Sequence, residues 1–149
     1  MGSPAALATW TAGLVTRSGE ETERAAEAFA ALLPPDTVLA LEGDLGAGKT
    51  TFVRGLVRGL GVTGDITSPS FALLNVYEGR RQIFHVDAYR LTCPEAFDDL
   101  LIWDLAKSPW NVVVEWPEKV AARLPVARWE MKTAILADGG HRFQLTLAG

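Results

Sequence analysis

Cysteine is almost missing from this chain. With Cys93 alone among 149 residues, no intramolecular disulfide can form, and a reducing compartment, the cytoplasm, is expected. Histidine is nearly as scarce. His85 and His141 are the only two, and neither stands in a spacing that gathers zinc ligands, so a zinc site is not expected. The apolar stretch from Ala5 to Val15 has no Lys or Arg before it and is too short to span a bilayer, so no membrane association is expected. Surplus positive charge is lacking as well. Fourteen Lys and Arg against eighteen Asp and Glu give a net charge of −4, which argues against a broad nucleic-acid-binding surface. The sequence shows no internal repeat, low-complexity segment or lipidation signal. What remains is a chain with 48% hydrophobic residues. It is read as a single domain spanning 1–149, with 1–17 unassigned.

Against this plain background one segment stands out, Gly43-Asp44-Leu45-Gly46-Ala47-Gly48-Lys49-Thr50, followed by Thr51. Glycine, four residues, then Gly-Lys-Thr is the pattern of a phosphate-binding loop. Glycines let successive backbone N–H groups converge on a polyphosphate, and a following helix directs its positive end at the same anion. Lys49 is suited to the outer phosphates and the Thr50 hydroxyl to Mg²⁺. The context agrees. Val38 to Leu41 is a short apolar run suited to a buried strand, and Phe52, Val53, Leu56, Val57 and Leu60 follow at helical spacing, with Gly61 as a stop.

The rest of the chain reads as alternating elements. Ser18 and Glu21 form a capping-box pattern ahead of a helix through Ala25, Phe29 and Leu33, ended by Pro34-Pro35. Phe71 to Tyr77 and Arg81 to Asp87 are expected to pair as an antiparallel hairpin across a short turn. Pro94 suits a helix start, with Glu95 to Asp104 continuing it and burying Phe97, Leu100, Leu101 and Trp103. Val112 to Val114 reads as a strand buried on both faces, followed by a short helix over Val120 to Leu124. Trp129 to Leu136 and Phe143 to Leu147 flank Asp138-Gly139-Gly140 as a second hairpin. The fold class expected is α/β, a mixed sheet flanked by helices with antiparallel additions.

Nucleotide hydrolysis needs Mg²⁺ and a group that orients water. Two strand-end acids qualify, Asp87 and Glu115. The strand before Glu115 is the more apolar and is expected beside the loop strand, so Glu115 is the favoured Mg²⁺ partner, direct or through water. Asp87 is then an outer acid or a water-positioning group. Either could instead be a solvated strand-end carboxylate. Thr67 and Ser68 have the hydroxyls of a switch segment that senses a γ-phosphate, although spacing alone fits an ordinary polar turn. His85 shares a strand face with Asp87 and could bond that acid or a water; a satisfied core histidine is the commoner outcome. Trp116, directly after Glu115, is placed for a nucleotide contact or for simple packing.

Four segments in this order and spacing resemble the TsaE family, formerly YjeE, of bacterial ATPases in tRNA threonylcarbamoyladenosine biosynthesis. They are Gly43 to Thr51, Thr67-Ser68-Pro69-Ser70-Phe71, His85-Val86-Asp87-Ala88-Tyr89-Arg90-Leu91 and Val114-Glu115-Trp116-Pro117-Glu118. The resemblance covers about residues 18–118 and implies a P-loop NTPase-like fold that binds and hydrolyses ATP with Mg²⁺. It implies that Lys49 and Thr50 serve phosphate and metal, and that Asp87 and Glu115 serve metal binding or hydrolysis. Thr67 and Ser68 then form the switch-like loop, and Trp116 lies near the nucleotide. It further implies partnership with a TsaB–TsaD complex, in which TsaD transfers the threonylcarbamoyl group, so that tRNA is served indirectly. Ser70 departs from the family's usual threonine but keeps the hydroxyl. By the same resemblance a basic residue near Gly140-His141-Arg142 should face the nucleotide, and Arg142 is taken for it. A small-molecule or nucleoside kinase shares the phosphate loop, but no arginine-rich lid is evident. A guanine reader of the Asn-Lys-x-Asp kind is missing.

Overall fold

The computed structural model describes residues 4–44, 47–64 and 73–147. Leu45 and Gly46 of the phosphate loop, and the whole switch-like segment with Thr67 and Ser68, lie outside the described residues. The helices are α1 (Pro4–Ala12), α2 (Gly19–Phe29), α3 (Lys49–Gly59) and the single turn α4 (Ile102–Leu105). The strands are β1 (Leu14–Thr16), β2 (Thr37–Glu42), β3 (Leu74–Glu78), β4 (Gln82–Asp87), β5 (Trp110–Glu115), β6 (Trp129–Ile135) and β7 (His141–Leu147). They form one sheet in the order β1-β7-β6-β2-β5-β4-β3. Its centre, β6-β2-β5-β4, is parallel, and antiparallel pairs close both sides.

The apolar runs explain the centre. Side chains alternate across a strand, so a strand covered on both faces must be apolar at every position. Leu39, Leu41, Val113 and Met131 enter one core with α2 and α3, while Val38, Val112 and Val114 enter a second core on the other face. The first core is aromatic at its heart. Phe29 and Phe52 are fully buried, and Trp10 from α1 meets them edge-on at 4.9 and 5.9 Å between centroids. Burying each such side chain contributes about 1.5–3 kcal/mol.

Helix α2 starts as its cap pattern requires, with the Ser18 hydroxyl accepting from the Glu21 amide at 3.1 Å. It lies very close to α3. A methyl group added at Gly55 would sit 2.3 Å from the Glu23 carbonyl oxygen, and one at Gly59 would sit 2.4 Å from that of Glu27. Four residues apart, these glycines share one face of α3 and let the two backbones touch.

The structure corrects several expectations. The helix expected over Glu95 to Asp104 is broken. A 3₁₀ segment runs Pro94–Leu100, Leu101 turns left-handed at φ 57°, and α4 follows. The buried anchors explain the break, because Phe97 and Ile102 enter the same core. Five residues apart on one α-helix they would diverge by roughly 140°. Leu101 and Trp103, expected inside, are exposed instead. The short helix expected over Val120 to Leu124 is two 3₁₀ turns, Pro117–Lys119 and Ala121–Arg123. Residues 1–17, left unassigned by sequence, supply α1 and β1.

Candidate functional site

Because β2, β5 and β4 run parallel, their C-terminal ends open on the same edge of the sheet. Strand register puts Glu115 between Leu41 of β2 and Asp87 of β4. The strand ahead of Glu115 is thus the direct neighbour of the loop strand, as its apolar run predicts. Both carboxylates emerge at one level on one face, the face that α3 covers.

The phosphate-loop segment leaves β2 through Gly43 at φ 152°. A methyl group there would fall 2.0 Å from the Thr133 hydroxyl oxygen on β6, so only glycine lets the loop turn this close to the sheet. Gly48 takes the left-handed conformation at φ 93° and starts α3. Lys49 opens that helix, and Thr50 and Thr51, both half-buried, complete its first turn. Asp44 is exposed at the rim, its carbonyl accepting from the Ala47 amide at 3.1 Å.

Lys49 is only 4% exposed. Its ammonium donates to the carbonyl of Gly43 across the loop and lies 3.8 Å from the centre of the Trp116 ring. Burial holds its pKa below the ordinary 10.5, opposed in order by the negative charges of Glu115, Glu118, Asp87 and Asp44. A cation on an indole face gains about 0.5–2 kcal/mol. Trp116 itself adopts a left-handed backbone at φ 58°, a conformation that costs a non-glycine residue about 1–3 kcal/mol. The Tyr89 ring lies 5.0 Å from that of Trp116, and Lys119 covers Tyr89 at 5.3 Å. The left-handed turn after Glu115 thus lays an aromatic wall along the lysine.

The acids are held differently. Asp87 is half-buried, and its Oδ1 accepts from the Tyr89 amide at 3.0 Å, which caps the turn Ala88–Arg90. Glu115 is 6% exposed, and its Oε2 lies 2.6 Å from Nε2 of His85, itself 1% exposed. An ionised carboxylate only accepts, so Nε2 carries the hydrogen. His85 therefore bonds Glu115 on the neighbouring strand rather than Asp87 on its own. Its other nitrogen, Nδ1, is buried without a hydrogen-bond partner among the described residues. Leaving a buried polar atom unpaired costs about 1–3 kcal/mol.

The second histidine also reaches the site. Nδ1 of His141 donates to the Ala47 carbonyl at 3.0 Å. Since C=O and N–H of one planar peptide point opposite ways, this bond turns the Gly48 N–H away from His141. Arg142, the basic residue expected at the nucleotide, is engaged elsewhere. Its guanidinium donates to the Ala12 carbonyl and to the Gln144 side chain, both at 3.1 Å. It still lines a cavity of about 270 Å³ shared with Gly43, Lys132 and Thr133.

Sequence reasoning did not assign His141 to the loop and left the partner of His85 open. The contacts of both span large sequence gaps, 94 residues for His141 to Ala47 and 30 for His85 to Glu115. No local pattern signals them.

A glycine-rich loop between a central parallel strand and a helix, with a lysine at the helix start and acids on adjacent strand ends, defines a P-loop NTPase-like α/β protein. The comparisons with known proteins narrow this. Residues 16–142 match the family model described as threonylcarbamoyl adenosine biosynthesis protein TsaE. The chain is 41% identical to the tRNA threonylcarbamoyladenosine biosynthesis protein TsaE of Treponema pallidum over 134 residues, covering 90% of this chain and 98% of that one. It is 35% identical to the protein of the same description from Bacillus subtilis, covering 90% and 84%. The crystal structure of Bacillus subtilis YdiB superposes with a TM-score of 0.74 at 32% identity, covering 92% of this chain and 85% of that one. This chain belongs to the TsaE family.

Proposed function

We propose that this protein binds ATP with Mg²⁺ and hydrolyses it in the service of tRNA threonylcarbamoyladenosine biosynthesis, acting on a TsaB–TsaD complex in the cytoplasm. The observation that carries the reading is the convergence of Lys49, Asp87 and Glu115 at one sheet edge beside the phosphate loop. A buried lysine whose charge is opposed by burial gains from a triphosphate, which supplies the counter-charge that its present carbonyl partner lacks.

On binding, Lys49 exchanges the Gly43 carbonyl for the outer phosphate oxygens, and Trp116 shields the exchange from water. Gly43 to Thr51 form the cradle. Among the described residues no three His, Cys, Asp or Glu side chains gather into a metal cage. The oxygen donors of Thr50 and Glu115 fit Mg²⁺, which takes one or two protein ligands and completes its shell with phosphate oxygens and water. The Thr50 hydroxyl and Glu115 would hold it, and its charge would offset that developing on the transferred phosphoryl group. Asp87 orients the attacking water. The water oxygen bonds to the γ-phosphorus, the bond from that phosphorus to the ADP oxygen breaks, and the water's proton ends on phosphate. Thr67 and Ser68 then respond to the γ-phosphate as a switch, and hydrolysis resets the partner complex.

The test is ATP turnover by the purified chain alone and with TsaB–TsaD. Turnover is expected to be slow alone and to rise with the pair. Glu115→Gln is expected to lower the stimulated rate about 100-fold or more, as removal of a metal or transition-state ligand does. Equal, negligible turnover with and without the pair refutes the reading.

A further inference from the structure

We propose that His85 is a positioning residue for Glu115: by donating Nε2–H to Oε2, it fixes the carboxylate so that its other oxygen is directed at the metal. The proposal rests on the Mg²⁺-ATP reading above. Three observations carry it. The bond is short, 2.6 Å, and both partners are buried, so water competes for it little. His85 precedes Asp87 by two residues and pairs with Val113 in register, so His85, Asp87 and Glu115 share one face of two adjacent strands, leaving Glu115 diagonal to the imidazole. And Nδ1 has no partner among the described residues.

The last point separates positioning from packing. Ile83, on the same face of β4, is fully buried and apolar, so a leucine or phenylalanine at position 85 would continue that face without a buried nitrogen that lacks a partner among the described residues. A histidine there is worse for the core and better for one thing, a directional donor to Glu115. A carboxylate with one oxygen committed presents the other in a single orientation, and the ordering is done before the ligand arrives. Outer partners of metal ligands act in this way.

The test measures binding. A non-hydrolysable fluorescent ATP analogue is titrated with MgCl₂, and in parallel in EDTA, against parent, His85→Leu, His85→Gln and His85→Asn proteins whose folding is checked by circular dichroism and melting. His85→Leu is expected to raise the half-saturating Mg²⁺ concentration about 10-fold or more, with analogue affinity in EDTA within about 2-fold of the parent. His85→Gln, whose amide reaches as far as Nε2, is expected to retain Mg²⁺ affinity within about 3-fold, while the shorter His85→Asn behaves like leucine. In a Glu115→Ala background His85→Leu is expected to add nothing, because the two act as one unit. A folded His85→Leu protein with unaltered Mg²⁺ dependence overturns the proposal. If leucine does not fold, equal Mg²⁺ dependence of the Gln and Asn proteins overturns it. A parent whose analogue affinity ignores Mg²⁺ overturns the functional reading itself, a result distinct from both.

Discussion

Gly55→Ala tests the packing that places the lysine. In an isolated helix this change stabilises by about 1 kcal/mol, because alanine loses less backbone entropy. Here the new methyl group would lie 2.3 Å from the Glu23 carbonyl oxygen and 2.8 Å from Cβ of Ala26. Ordinary contact begins near 3.4 Å, so α2 and α3 must separate by roughly 1 Å, at an overpacking cost of about 1–3 kcal/mol. The obstacle is backbone and cannot rotate aside. Set against the propensity gain, a net loss of up to about 2 kcal/mol is expected, lowering Tm by up to about 8 °C for a domain of this size. Lys49 and Thr50 begin the same helix, so ATP affinity should weaken as well. Denaturant unfolding and calorimetry measure the first effect, and isothermal titration with ATP and Mg²⁺ the second. Gly139→Ala is the comparison. That glycine sits in the hairpin turn at φ 88° with nothing within 4 Å, so it should cost only the left-handed penalty of about 1–2 kcal/mol and leave ATP affinity intact. A Gly55→Ala protein more stable than its parent would refute the reasoning, because it would mean the helices part freely.

Lys49→Met should leave the ligand-free protein within about 1 kcal/mol of the parent at neutral pH, since the relieved burial of charge offsets the lost bond to Gly43. On the proposed function it should also abolish stabilisation by ATP, which for a binding parent would reach about 2.7 kcal/mol at 100 times Kd. The folded chain holds the pKa of Lys49 below 10.5, so between that depressed value and 10.5 it binds fewer protons than the unfolded chain. Ligand-free stability therefore rises with pH across that interval, and methionine should flatten the rise in pH-dependent unfolding curves. Asp138 has its pKa lowered from 3.8, first by the Arg17 hydrogen bond and then by the Gly140 amide. Its contribution is present above the ordinary value and lost as pH falls through the depressed one. Unfolding curves of Asp138→Asn and parent should converge in acid and separate modestly near neutrality, the pair being exposed and salt-screened.

Much of this was legible in the chain. The strand, loop and helix around Gly43 could be read because apolar runs and glycine spacing are local signals. Both hairpins could be read from their turns, and the valine run of β5 foretold its place beside β2. The break at Leu101 was hidden, because helical periodicity counts apolar residues without knowing which core they must reach. Helix α1 was hidden too, since its face is set by where Trp10 meets Phe29 and Phe52 rather than by caps or charge. The histidine contacts depend on strand order, which brings distant segments together and leaves no trace in the spacing of either. Arg142 stands apart: a resemblance supplied a basic residue there, while its neighbour His141 makes the hydrogen bond to the Ala47 carbonyl of the loop segment.

The sheet's polarity has a practical side. The chain enters β6 from the loop holding Val126, which is 85% exposed. Since β6 runs parallel to β2, that loop lies at the edge of the sheet opposite Gly43. A thiol placed there by Val126→Cys, with Cys93→Ser to remove the exposed native one, would anchor the molecule to a sensor surface by its back. The edge that carries Gly43, Asp87 and Glu115 would then stand free in solution in every immobilised copy, and partner capture could be recorded with a uniform orientation.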